Sequence, residues 1–484
     1  MSYKAYIPLL VLLSALSSGL QAQGASTLYL MHGVQQSSLL NPAIGLNCRY
    51  FVGLPGMTSN AVVYNNTAFT ANELLQAENW PLETILGQLH RSDLFGVSAQ
   101  ASLLSLGYKL KGWTLRFDLL EELDAALSLP RDLPRLAIKG NGSFVGETVR
   151  LNGFRIVGLH RRAWTLAASR ALNSRLRAGL RARLLFGKSA IHTGISRSSL
   201  STSEEHFYID LNLDYRLDAS FPLSVERPDG QNFPEIRLKE IDPAAYLLNR
   251  ENPGFALDLG LIYRLSEQSF LSASLLNLGF IHWKSDLNSL EFIESFSFQR
   301  VETGTELVSR DNLLHLADSL FQLQQQLITH EAFNTMLPPR LYLGASHQLN
   351  ETFSLGAVST NTIYRTKLHT ALTLSGSATV LKALTASLSW SWMNHSPLHI
   401  GAALSWQGKG LQLFIASDHL AGFFYPFDSR SLQIQWGFGL LFGCPRNKRS
   451  MIRKDDPDRL PLGGDCRWSG KESRRKRRKR GLKN

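Results

Sequence analysis

The sequence predicts an all-β fold: a transmembrane antiparallel β-barrel of about 14 strands (14–16), with an N-terminal plug-like segment and a short helix in a loop. Three observations predict it. Apolar and polar residues alternate with period two in segment after segment, as they do when successive side chains of a strand face opposite sides of a sheet. An export leader comes first. Beyond it, no run is apolar for the roughly 20 positions that a spanning helix needs. The mean hydropathy of -0.09 fits a barrel, because half of each barrel strand is polar. A soluble sandwich or propeller would alternate equally well, but it explains poorly the long apolar faces that end in Trp.

The leader is residues 1–22. Lys4 gives the positive start, Ile7 to Leu16 the short apolar run, and Ser17 to Ala22 the small and polar stretch before cleavage after Ala22. Residues 23–90 lack steady alternation and are assigned to the plug segment; within them 50–56 is strand-like and 71–90 helix-prone. The barrel is assigned to residues 91–443 and a basic, disordered tail to 444–484.

Strand signals follow in order. Val97, Ala99, Ala101 and Leu103 alternate, as do Trp113, Leu115, Phe117 and Leu119. Residues 164–172 and 176–187 are joined by Asn173-Ser174, a tight hairpin signal. In the second of these, Arg177, Arg181 and Arg183 oppose the apolar face, on the side that lipid could not receive cheaply. Phe207 to Leu217, Phe255 to Leu265 and Leu271 to Leu275 alternate in turn; Ile262 alone breaks the polar-or-small rule of its face. Residues 312–329 switch to helical spacing, through Leu313, Leu316, Leu320, Leu323 and Leu327. From Arg340 onward the chain reads as a run of hairpins, with Trp390, Trp392, Trp406 and Trp436 at or near strand ends, the depth of a lipid–water interface. In the last strand Leu432, Ile434, Trp436, Phe438, Leu440 and Phe442 oppose Gln433, Gln435, Gly437 and Gly439, with Leu441 as the interruption.

The three cysteines, Cys48, Cys444 and Cys466, are too few for a disulfide-built fold. Cys444 and Cys466 both flank the tail, and a bridge between them is one open pairing. Charge is concentrated as well. Residues 445–484 hold 16 Lys+Arg and 5 Asp+Glu, so +11 of the net +12 belongs to the tail.

Four passages together, LLNPA (39–43), SLPRDLPRLAIKGNGSFVGETVRLNGF (128–154), the 252–286 unit and QIQWGFGLLFG (433–443), resemble an outer-membrane barrel family of Bacteroidota known as a domain of unknown function. That family is in turn similar to FadL-like and PorV-like barrels. In FadL-like channels an Asn-Pro-Ala element belongs to a hatch inside the barrel. The resemblance therefore implies a plug motif at Asn41, Pro42 and Ala43, with residues 24–60 filling part of the lumen. The plainer reading is a turn that leads the chain into its first strand. A tail beyond Gly443 departs from a barrel that ends at its final aromatic strand.

No motif assigns catalysis, a cofactor or a metal. HExxH, paired CxxC and GxSxG do not occur, and Gly187-Lys188-Ser189 lacks the earlier glycine of a P-loop, since position 182 is Ala182. The tail run Arg474, Arg475, Lys476, Arg477, Arg478, Lys479 and Arg480 is the candidate site for an anionic partner. An exported chain makes nucleic acid an unsuitable one. Anionic lipid heads, at about 1 kcal/mol per basic residue near the surface, or acidic envelope proteins suit it. The expectation is therefore a bacterial outer-membrane barrel in contact with outer-membrane lipid. Its role is FadL-like passage of a small or hydrophobic solute or, alternatively, that of a structural or adaptor barrel in an envelope secretion or assembly complex. It is not expected to be an enzyme.

Overall fold

The computed structural model describes residues 25–70, 72–73, 86–89, 92–151, 153–194, 197–204, 208–226, 235–238, 240, 242–298, 328–350, 352–364, 367–381, 383–393, 396–408 and 410–444. The leader, most of 71–90, residues 312–327 of the helix expected at 312–329, and the tail from 445 onward, Arg474 to Arg480 included, lie outside the described residues.

Fourteen antiparallel strands close into one ring. They are β1 (Tyr50–Gly53 and Asn60–Asn66, one strand interrupted by a short loop), β2 (Ser92–Leu110), β3 (Trp113–Pro130), β4 (Arg155–Ala171), β5 (Leu176–Thr193), β6 (Asn252–Arg264) and β7 (Ser269–Trp283). They continue as β8 (Phe333–Met336 and Arg340–Gln348), β9 (Phe353–Tyr364), β10 (Lys367–Leu381), β11 (Leu384–Met393), β12 (Ser396–Gln407), β13 (Leu411–Ser417) and β14 (Ser431–Phe442). Each pairs with the next, and β14 returns to β1 through Tyr50↔Phe442 and Asn60↔Trp436. Closure leaves no sheet edge for hydrocarbon to meet.

One end of the ring carries tight turns. Between β2 and β3, Lys111 and Gly112 both have positive φ (44° and 84°), the conformation that lets two residues reverse a twisted pair. At Asn173 the side-chain carbonyl accepts from the N–H groups of Arg175 and Leu176 at 2.8 Å, which fixes the β4–β5 turn. Long connections leave the other end.

The period-two pattern sorts by environment. Along β14, Gln433, Gln435, Gly437, Gly439 and Leu441 are buried toward the lumen, while Leu432, Ile434, Trp436, Phe438, Leu440 and Phe442 point outward. Outward residues elsewhere include Leu166, Leu184, Leu374 and Leu388, all exposed. Arg177, Arg181 and Arg183 are buried in the lumen. The two exceptions to the pattern have a physical cause. Leu441 packs with Leu46, Cys48 and Phe51, and Ile262 with Ala43, Ile44 and Phe270; both meet apolar residues of the segment inside the ring.

Four expectations change. The wall begins at Tyr50 rather than at 91, because residues 50–66 pair on both sides within the ring. The alternating stretch Phe207 to Leu217 is not a wall strand. Strand Ile209–Ser220 joins a sheet beyond the long-loop end, pairing with Leu287–Phe298, Ser199–Thr202 and only the last residues of β5; alternation marks a strand and does not say where in the sheet it pairs. Ile328–Thr329, expected as the end of a helix, is a short strand beside Ser289–Leu290. Trp436 faces outward from the middle of β14, whereas Trp390, Trp392 and Trp406 do lie near strand ends.

The cysteine pairing also departs from the one left open. Cys444, just past β14, bonds to Cys48, just before β1, across a separation of 396 residues. The bridge fastens the closing seam at the tight-turn end, where both chain ends of the wall arrive.

Candidate functional site: the occupied lumen

Residues 25–48 lie inside the ring. They form a short helix α1 (Ser26–Leu30) and a 3-10 turn (Gln35–Leu39), both buried throughout. Neither is long enough to hold itself together, so the wall holds them. The ladder between β12 and β13 stops at Ala402↔Ser417, and the chain then turns inward at Asp418. That carboxylate accepts from the backbone N–H groups of Ser26 and Thr27, both at 2.9 Å, which satisfies two otherwise unbonded donors at the start of α1. Burial still pushes the Asp418 carboxyl above the usual carboxylate range. Tyr29 stacks on Tyr342 at 4.9 Å and donates to Ser272 at 3.1 Å. His32 is buried, its Nδ1 lacks a hydrogen-bond partner, and burial lowers its pKa to about 4.

The 3-10 turn is gripped by its backbone. Gln412 accepts from Gln35 N–H at 3.0 Å and donates to the Gly33 carbonyl at 2.9 Å. Arg116 donates to the Gln35 carbonyl at 2.6 Å, and Arg181 to the Ser38 and Leu39 carbonyls at 3.2 and 2.6 Å. Each arginine is paired on the wall, Arg116 with Asp118 at 2.9 Å and Arg181 with Asp258 at 2.6 Å. Pairing makes burial of these charges tolerable, and the planar guanidinium reaches a carboxylate and a carbonyl together.

Asn41, Pro42 and Ala43 sit where the segment leans on β5 and β6. Asn41 Oδ1 accepts from Ala43 N–H at 2.9 Å, and its Nδ2 donates toward Tyr29 Oη at 3.3 Å and the Leu261 carbonyl at 3.4 Å. The approach is close enough to require glycine. A Cβ at Gly260 would collide with Asn41 Oδ1, and one at Gly179 with the Pro42 carbonyl.

Between this segment and the wall is a cavity of about 130 Å³. Its lining is mixed, with Leu28, Leu39, Leu40, Leu120 and Leu276 beside charged and polar side chains. Arg161 contacts Glu122 and Asp124, both at 2.8 Å, and Arg183 holds Glu122 and Asn277, both at 2.6 Å. Gln433, Gln435 and Gln36 also line it. Sequence reasoning found the inward arginines of β5. It missed Asp418 and Arg116, which carry no local signal beyond being polar residues in or beside a strand.

The geometry defines a transmembrane β-barrel whose lumen is filled in part by its own N-terminal segment. Residues 42–418 match a family described as a family of unknown function (DUF5723), and the chain belongs to it. No curated protein matches the sequence. Among solved structures, the toluene transporter TbuX of Ralstonia pickettii is similar at 10% identity and a TM-score of 0.42, over 86% of this chain and 95% of that one. A Pseudomonas aeruginosa FadL homologue gives 11% and 0.40 over 87% and 99%. The toluene transporter TodX of Pseudomonas putida gives 10% and 0.39 over 87% and 96%. Likenesses at this level carry no argument about what this chain does.

Proposed function

We propose that the protein is a bacterial outer-membrane barrel that passes a small polar solute when its inner segment gives way, with Asn41, Pro42 and Ala43 as part of that plug. The observation that carries this reading is the cavity between residues 25–48 and the wall, where Arg161, Arg183, Glu122 and Asp124 meet. The alternating outer face and the leader support the outer-membrane setting. With an even strand count, the tight-turn end and both chain ends face the periplasm. The tail, with Arg474, Arg475, Lys476, Arg477, Arg478, Lys479 and Arg480, then rests against anionic periplasmic surfaces.

A second reading has its own support. The Cys48–Cys444 bridge and the two arginine grips hold the inner segment firmly, as a scaffold barrel that never opens would require. Swelling of proteoliposomes in small polar solutes separates the two. Passage predicts slow swelling with the natural protein and several-fold faster swelling with Arg116→Gln/Arg181→Gln. If both proteins are equally tight, and gentle detergent extraction brings down stoichiometric envelope partners, the scaffold reading replaces it.

A further inference from the structure

We propose that the outer face of the tight-turn rim, over β1 to β4, is a binding site for an anionic phospholipid of the periplasm-facing leaflet. This rests on the outer-membrane reading for the lipid and the orientation, although binding itself is measured without a membrane or transport. Charge comes first. Residues 46–53, 106–115, 168–176 and 438–444 hold Arg49, Lys109, Lys111, Arg170 and Arg175 and no Asp or Glu. The segments that join the other strand pairs at this end, residues 264–269, 347–353, 381–384 and 407–411, hold three basic residues and two acidic ones. The positive charge is therefore gathered on one side of the rim.

Position is second and independent. Tyr50 of β1 and Tyr108 of β2 are register partners whose rings stack at 5.1 Å, and the Arg49 guanidinium lies over the Tyr50 ring at 5.5 Å. Trp113 of β3 and Arg170 of β4 are register partners too, and that guanidinium lies over the indole at 5.2 Å. The β2–β3 ladder joins the two groups through Leu110↔Trp113, so the patch crosses four neighbouring strands, about 14 Å at the usual strand spacing. All of it points out of the wall: Tyr50, Trp113 and Arg170 are exposed, while the adjacent Phe51, Thr114 and Ser169 are buried toward the lumen. Toward the middle of the wall the same face continues as Leu106, Leu115 and Leu166, all exposed. Toward the rim it gives way to Lys111, Asn173, Ser174 and Arg175, also exposed. The rings thus mark the level where acyl chains meet headgroups, and the cations stand on the headgroup side of it.

The occupant follows from what these cations touch. In the lumen, Arg116 and Arg181 meet carboxylates of the wall. Arg49 and Arg170 meet rings instead, which hold a guanidinium by their faces but leave its charge uncancelled. A lipid phosphate cancels it, since a guanidinium bonds phosphate oxygens through two N–H groups at once, and the acyl chains of the same molecule lie along Leu106 and Leu115. A soluble acidic partner would meet the cations and gain nothing from the leucines. A zwitterionic headgroup brings its own cation to the patch. Further basic charge is tethered here as well. Cys444 is bonded to Cys48, the neighbour of Arg49, and residues 445–484, with their net +11, follow Cys444 directly.

The test uses the full chain in detergent micelles, with phosphatidylglycerol as the probe and phosphatidylethanolamine of the same chains as comparison, and native mass spectrometry reads the lipid retained. Phosphatidylglycerol should be retained about tenfold more tightly. Arg49→Gln/Arg170→Gln should weaken it about tenfold, and Trp113→Leu, which keeps every charge, should weaken it several-fold. Lys382→Gln/Lys409→Gln removes the same charge from the segments joining β10 to β11 and β12 to β13, with the tail intact, and should leave retention unchanged. Unchanged migration of the unboiled sample on a gel checks that each variant is folded. Equal retention of the two lipids, or equal loss in the two double variants, would overturn the site. Displacement of phosphatidylglycerol by an equimolar polyglutamate peptide would overturn it in favour of an acidic protein. Trypsin cutting at Lys111 from outside intact cells would sink the orientation and leave the lipid selectivity standing. Orientation upheld with no lipid selectivity would do the reverse.

Discussion

Arg181 on β5 and Asp258 on β6 are direct cross-strand partners, and their side chains meet at 2.6 Å inside the lumen. The same guanidinium bonds the carbonyls of Ser38 and Leu39. One ion pair therefore joins two wall strands to the segment within.

Replacing one member leaves the other charged and buried. Asp258→Asn should cost roughly 3–5 kcal/mol, the range for breaking a buried pair, and Asp258→Leu/Arg181→Leu should recover part of that. Urea midpoints in micelles read the cost. Limited proteolysis should cut residues 25–48 in the single variant while the unboiled sample still migrates as a folded barrel. Equal midpoints for Asp258→Asn and the natural protein would contradict the grip.

The contacts at Asn41 and Pro42 predict a graded effect at three glycines. Gly179→Val and Gly260→Val force the segment away and should cost about 1–3 kcal/mol each, as overpacking does. Gly376→Val is the comparison, because a Cβ there meets only Leu355 at an ordinary 3.8 Å. Hydrogen exchange over 41–44 should rise in the first two and stay unchanged in the third.

Peptide mapping without reduction should recover Cys48 linked to Cys444, and Cys466→Ser should leave that link in place. Cys444→Ser should lower stability by about 2–4 kcal/mol, the usual worth of a native bridge. A recovered Cys444–Cys466 peptide would refute the seam.

Acid should loosen the inner segment through His32. Its folded pKa of about 4 lies below the ordinary 6.5, so the unfolded chain binds the proton more readily. The stability is fully present above about pH 6.5 and is lost as pH falls through about 4, amounting to at most about 3 kcal/mol. His32→Asn should flatten the dependence of the urea midpoint between pH 7 and 4. An identical slope in both proteins would assign the acid response to other groups.

Much of the wall was legible because lipid and lumen impose a period of two on every strand they share. The inward direction of Arg177, Arg181 and Arg183 followed from that rule, and so did the Asn173-Ser174 hairpin. Contacts made across hundreds of residues left no such trace. Cys48 finds Cys444, and Tyr29 finds Tyr342, only once the ring has closed. Ile209–Ser220 misled because period-two alternation marks a strand in the same way whether it pairs in the wall or, as here, beyond the wall's end. Gly179 and Gly260 read in sequence as small residues on a polar face, and nothing local says that a backbone comes to rest on them. Ile262 and Leu441 were visible as breaks in the pattern, and the structure turns those breaks into the footprint of the inner segment.

The covalent link at the seam also decides how a pull is shared. Tension arriving along the tail reaches Cys444 first, and through the sulfur pair it is handed at once to the residue preceding β1. The load divides between both flanks of the join, so a tug on the tail draws β14 and β1 together, falls on their ladders to β13 and β2, and cannot peel the final strand off its partner across the seam one hydrogen bond at a time.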